Sequence, residues 1–198
     1  MKPIKLKMTG FESYCKPVEI DFEKAGKNGL FLICGPTGSG KTTQIPIILH
    51  EAGFTENGVI GITQPRRIAT LSVCSYIKEQ LHDEGHFCGY KMRFYDTTDE
   101  STRIKILTDG MLLQELKTDP DLSGYSVIMV DEAHERSLNI DFILGLLKQI
   151  CERRPELKVL ISSATLNTKV FADYFNAPVI TIEARQYNVD IRYMPIDE

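Results

Sequence analysis

Two clusters of residues in this sequence have the types and spacing for phosphate chemistry. The first is Gly35-Pro36-Thr37-Gly38-Ser39-Gly40-Lys41-Thr42, which fits G-x-x-x-x-G-K-[ST]. Glycines at those positions let backbone N–H groups converge on one anion without Cβ clashes. Lys41 can reach the β- and γ-phosphates of a nucleoside triphosphate, and the Thr42 hydroxyl can ligate Mg²⁺. Gly35, Thr37, Gly38, Ser39, Gly40, Lys41, Thr42 and Thr43 are therefore the candidate nucleotide-binding residues. The second cluster is Asp131-Glu132, at the end of the apolar run Val127-Ile128-Met129-Val130. In phosphate-loop hydrolases the first such acid helps hold Mg²⁺ and the next polarises the attacking water. An acid pair after a strand reads, on its own, as a solvated strand end or a helix cap. Its pairing with a phosphate loop earlier in the chain is what gives it weight.

Such groups need a scaffold, and the sequence supplies one. Leu30 to Cys34 reads as a buried strand entering the loop, and Ile45, Ile48 and Leu49 give the following helix an apolar side. The helix N-terminus adds partial positive charge at the loop. Further strands are expected at Val59–Thr63, Phe87–Phe94, Arg103–Thr108, Ser126–Val130, Leu157–Ser162 and Val179–Ile182. Helices are expected with Pro65 at a first helical position, after Thr108 or Asp109 as cap, from Ser137 or Asn139, and after Asn167 as cap. Apolar strands alternating with helices predict an α/β fold with a parallel sheet covered on both faces. Ligands then belong at the C-terminal strand ends, where the polar motifs fall. Before residue 30, Ile4, Leu6 and Met8 alternate with polar neighbours, as do Val18, Ile20 and Phe22. These predict a short antiparallel strand pair over residues 1–29, ahead of a domain over 30–198.

Composition narrows the class. With 42% hydrophobic and 25% charged residues the chain reads as globular. No apolar run approaches the ~20 residues of a membrane span, and the N-terminus lacks the apolar core of a secretory signal. Five scattered cysteines with no C-x-x-C pair suggest neither a zinc site nor a disulfide framework. The expected location is intracellular, in cytoplasm or nucleus. A net charge of −4 means that nucleic acid, if bound, meets a local basic patch.

Five runs in order, GPTGSGKTTQIP, TQPRRIAT, TDGMLLQE, DEAHERS and SATL, resemble the motifs of DEAH-box RNA helicases. The resemblance covers about residues 35–195 and points to the first RecA-like domain of such an enzyme, a P-loop NTPase that hydrolyses ATP and moves on single-stranded RNA. It implies that Lys41 and Thr42 bind NTP and Mg²⁺, that Asp131 holds the metal, and that Glu132 is the general base. It implies that His134 couples the nucleotide site to a partner domain. Ser163 and Thr165 would link hydrolysis to strand movement. Thr63, Gln64, Arg66, Arg67, Thr108, Asp109 and Gly110 would face RNA. The bare alternative for Arg66-Arg67, apart from the motif, is a solvated helix face. Arg103 and Lys105 are open to the same two readings.

Three features depart from that pattern. The family carries a second RecA-like domain with an arginine finger, and this chain stops at Glu198, about where a linker to it would begin. A position that often holds arginine, in the helix after TQPRR, is Tyr76 here. Residues 1–43 resemble the N-terminus of SbcC-type, SMC-like DNA-repair ATPases, so one reading is a fusion at the shared loop. Three functions follow: a helicase motor domain, the ATPase head of a repair complex, or a non-catalytic module that binds RNA or a partner.

Overall fold

The computed structural model describes residues 5–8, 18–21, 29–36, 39–164 and 168–182. Thr37 and Gly38 of the glycine run, Thr165 and Asn167 lie outside them. The strand pair at the front is present. β1 (Lys5–Met8) and β2 (Val18–Asp21) are antiparallel, with Lys5 opposite Asp21 and Met8 opposite Val18.

The rest of the described chain alternates strand and helix. β3 (Leu30–Cys34) leads to α1 (Lys41–Glu51), and β4 (Val59–Gln64) to α2 (Arg67–Gln80). A hairpin of β5 (Cys88–Met92) and β6 (Tyr95–Asp96) follows, then β7 (Ile104–Thr108) and α3 (Asp109–Thr118). β8 (Tyr125–Val130), α4 (Leu138–Arg153), β9 (Lys158–Ser163), α5 (Thr168–Phe175) and β10 (Val179–Thr181) complete the order. The eight strands from β3 onward form one sheet, ordered β10-β3-β9-β8-β4-β7-β5-β6. Every neighbouring pair is parallel except β5 with β6. This is the covered, mostly parallel α/β sheet that the strand pattern predicts, consistent with the RecA-like P-loop NTPase fold that the motif resemblance implies.

Two layers of core follow from the period-two geometry of each strand. Phe31 and Ile33 of β3 turn to one face, where they pack with Ile45 and Leu49 of α1 and Ile77 of α2. Leu30 and Leu32 turn to the other and meet Leu112 of α3, Ile143 and Leu147 of α4 and Phe171 of α5. A strand apolar on both faces is what a doubly covered parallel sheet requires.

Two boundaries differ from expectation for physical reasons. Pro65 does not open α2. β4 runs on to Gln64, and Arg66 is the extended residue that caps a helix beginning at Arg67. The strand expected over Phe87–Phe94 stops at Met92, because Phe94 adopts φ +71° in a tight turn and the chain doubles back as β6. Two exposed residues are too few for a sequence pattern to reveal. At α4 the alternative resolves to Ser137, whose Oγ accepts from Ile140 N–H at 3.2 Å.

Candidate functional site

The loop begins where the sheet ends. Gly35 N–H donates to Ser163 O at 3.3 Å, tying the exit of β3 to that of β9. A Cβ on Gly35 would sit 2.8 Å from Ile182 O, so only glycine fits there. Gly40 caps α1 at φ +74°, a conformation that glycine enters without a side-chain penalty. Lys41 is buried at 6% exposure. Its Nζ donates to Gly35 O at 2.5 Å, Pro36 O at 3.0 Å and Ser39 Oγ at 3.3 Å. The ammonium is thus turned onto the loop's own carbonyls. Burial lowers its pKa, opposed by the charges of Asp131 and Glu132. Thr43 Oγ1 donates to Gly40 O at 3.4 Å, within the first helical turn.

Asp131 leaves the end of β8 with 1% exposure. Thr42 Oγ1 donates to its Oδ2 at 2.5 Å, across 89 positions of sequence. Gln64 Nε2 donates to the same oxygen at 2.7 Å. Asp131 Oδ1 is buried with no hydrogen-bond partner among the described residues. A hard divalent cation takes oxygen donors of this kind, so Thr42 and Asp131 fit Mg²⁺. Among the described residues no group of three or more His, Cys, Asp and Glu side chains gathers to hold a metal.

Glu132 stands in the left-handed region, at φ +52° and ψ +36°. Burial raises the Glu132 pKa, and the Asp131 charge adds to the shift. His134 Nδ1 lies 3.2 Å from Glu132 Oε2 and accepts Ala164 N–H at 3.4 Å. One ring nitrogen therefore faces both Glu132 and the Ala164 N–H. Ser163 is buried. Tyr76, where a cation was expected, accepts a hydrogen bond from Gln44 Nε2 at 2.9 Å. It offers a neutral polar link between α1 and α2.

The residues expected to face RNA separate into two sets. Thr63 and Gln64 are buried at 0% and 3% exposure. They end a strand flanked by β7 and β8, so the structure does not bring them to the surface. Arg66 is exposed and donates to Glu135 Oε1 at 2.9 Å. Arg67 Nη2 donates to Arg93 O at 2.9 Å. Thr108 is half-buried at the head of α3, Asp109 is buried and Gly110 is exposed. Burial pushes the Asp109 carboxyl up to about 6, against the Thr63 hydroxyl beside it, which lowers it. Lys105 is held by Glu115 at 3.4 Å and so is not a free cation of the surface. Sequence reasoning missed Glu135 as the partner of Arg66 and Gln64 as the partner of Asp131. The period and spacing of residues carry no sign of either bond.

The chain is 55% identical over 170 of its residues to the ATP-dependent RNA helicase HrpA of Borreliella burgdorferi, covering 85% of this chain. It is 50% identical over 169 residues to HrpA of Escherichia coli, and 51% identical over 172 to the HrpA homolog of Haemophilus influenzae. Most of this chain is homologous to a segment of the HrpA helicases. It spans 21% of the length of the first relative and 13% of each of the others. Residues 5–49 match a different family model, described as an AAA domain. The two likenesses overlap in part, and the AAA match includes the β1–β2 pair and the loop. Among the described residues no helix is long and apolar enough to cross a membrane.

Proposed function

We propose that this chain is the nucleotide-hydrolysing motor segment of an ATP-dependent RNA helicase. The observation that carries the reading is the hydrogen bond from Thr42 Oγ1 to Asp131 Oδ2, which joins the first motif to the fourth across 89 positions. In this reading the glycine loop receives the triphosphate with its N–H groups. Lys41 then leaves the loop carbonyls for the β- and γ-phosphates. Thr42 and Asp131 would hold Mg²⁺, whose charge, when bound, would offset that of the phosphate oxygens. Glu132 orients the attacking water and takes its proton, leaving ADP and phosphate. His134 passes the state of Glu132 to the Ser163–Thr165 run. Arg66, Arg67 and the Thr108–Gly110 turn meet the RNA backbone, fixing position without reading sequence. A second RecA-like module, on the same polypeptide or another, is the partner that this reading calls for.

The decisive assay is ATP turnover by the chain and by its Glu132→Gln variant, with and without single-stranded RNA. Loss of a general base is expected to lower turnover ~10²–10⁴-fold with nucleotide binding retained. Turnover is expected to be slow without the second module, since an arginine finger supplies ~10³–10⁵ in rate. Equal turnover by both proteins removes the catalytic reading. The AAA match over residues 5–49 favours a repair-type ATPase head as the second reading. Binding to double-stranded DNA ends in preference to single-stranded RNA would decide for it.

A further inference from the structure

Gln64 is the last residue of β4, and its side chain is buried. β4 runs beside β8 in parallel register, with Thr63 opposite Val130. The next residue along each strand is thus Gln64 on one and Asp131 on the other. The amide Nε2 of Gln64 donates to Asp131 Oδ2 at 2.7 Å. An ionised carboxylate only accepts, so the residue beside it must be a donor, and a buried neutral amide is one that adds no charge. The other donor on that oxygen is Thr42, whose hydroxyl has a second duty if its lone pair goes to a cation. Gln64 has no such duty. Two residues further on, the same segment carries Arg66 and Arg67 into solvent.

We infer that Gln64 is a positioning residue for the metal-holding carboxylate. It fixes Asp131 by Oδ2 and leaves Oδ1 uncommitted. It also ties that carboxylate to the segment whose two exposed arginines meet RNA in the function proposed above. This inference rests on the nucleotide and metal roles proposed above. It places Gln64 at the metal end of the site rather than against RNA. Groups that orient a ligand from behind it are worth ~10–100-fold in metal affinity. Movement of Arg66 and Arg67 on a bound strand would reach Asp131 through one side chain.

The test uses the 198-residue chain with ADP and Mn²⁺ as a paramagnetic probe, read by electron paramagnetic resonance. Gln64→Leu is expected to weaken Mn²⁺ binding to the ADP complex about tenfold, while ADP affinity in chelator stays unchanged. Gln64→Asn, which keeps the amide but shortens its reach, is expected to weaken it in the same direction. In an Asp131→Asn background, Gln64→Leu is expected to add nothing, because the two act as one unit. Oligouridylate is expected to shift Mn²⁺ affinity in the native chain and not in Gln64→Leu. Unchanged Mn²⁺ affinity in both folded Gln64 variants overturns the positioning role. An oligouridylate shift that is equal in native and variant chains, or absent from the native chain, overturns the tie to the arginines. A native chain that binds no ADP at all defeats the nucleotide reading itself, and this inference falls with it.

Discussion

Around the nucleotide loop, Lys41, Thr42, Gln64 and Asp131 are bonded to the loop or to one another, and all but Thr42 are buried. At the face proposed to meet RNA, Arg66 and Arg67 stand at the surface, bonded to Glu135 and to the Arg93 carbonyl respectively. The first region holds its polar side chains in contact with one another and with the loop. The second holds its cations in contacts that a polyanion can replace. Desolvated polar groups are costly when unpaired, so a buried site keeps its partners fixed. Surface ion pairs are worth ~0–1 kcal/mol and can be exchanged cheaply. Chemistry on phosphate needs the first arrangement, and movement along a strand needs the second.

Asp109 crosses that division, and the largest expected effect belongs to it. It sits among the residues expected to face RNA, yet it is buried like the nucleotide site. Its carboxyl is pushed up to about 6 from 3.8 by burial. The folded state therefore holds its proton more tightly than the unfolded chain does. Through this group stability rises as pH falls from 7 through 6 towards 4, and above 6 the ionised form is a burden. Asp109→Asn is expected to stabilise the chain at pH 7 by about 2 kcal/mol and to flatten that slope. Urea unfolding at pH 7 and pH 5 measures both. A variant that is less stable at pH 7 would mean that the charge is held by partners, and that the two regions are built alike after all.

The exposed cations should behave differently. Arg66→Ala and Arg67→Ala are each expected to weaken single-stranded RNA binding uniformly across sequences. Each should reduce the slope of log affinity against log salt by about one. Glu135→Gln is expected to act with the opposite sign. It frees Arg66 from its 2.9 Å partner and removes a like charge from the path of a phosphate, strengthening binding by up to about fivefold. A filter-binding salt series on the three variants separates these outcomes. Arginines that serve only as solvated helix termini would leave the slope unchanged, and the contrast between the regions would vanish.

How much of this was legible beforehand follows the same division. The sheet, the loop and the acid pair declare themselves through apolar runs and fixed spacing, because local sequence decides them. The β5–β6 hairpin does not, since its turn rests on one residue, Phe94, at positive φ. Nor do the bonds of Gln64 to Asp131 and Arg66 to Glu135, which join positions 67 and 69 apart. Motif resemblance grouped Gln64 with Arg66 because they are neighbours in sequence. The end of β4 separates them, one inside the sheet and the other in solvent.

Gly110 gives the smallest effect and the sharpest contrast with the glycines of the loop. A Cβ on Gly35 would meet Ile182 O at 2.8 Å, whereas one on Gly110 meets no atom within 4 Å. Gly110 lies in the first turn of α3, where glycine carries a backbone-entropy cost and packing offers no reason to keep it. For folding alone, Gly110→Ala should therefore stabilise the chain by about 0.5–1 kcal/mol. A reason outside the fold would be the close approach of an RNA backbone to that turn. The same substitution should then weaken RNA binding severalfold while thermal stability rises. Calorimetry and RNA titration of one variant read the two signs independently. If stability rises and RNA binding does not change, Gly110 is removed from the strand-facing surface, and Thr108 alone remains there from α3's head.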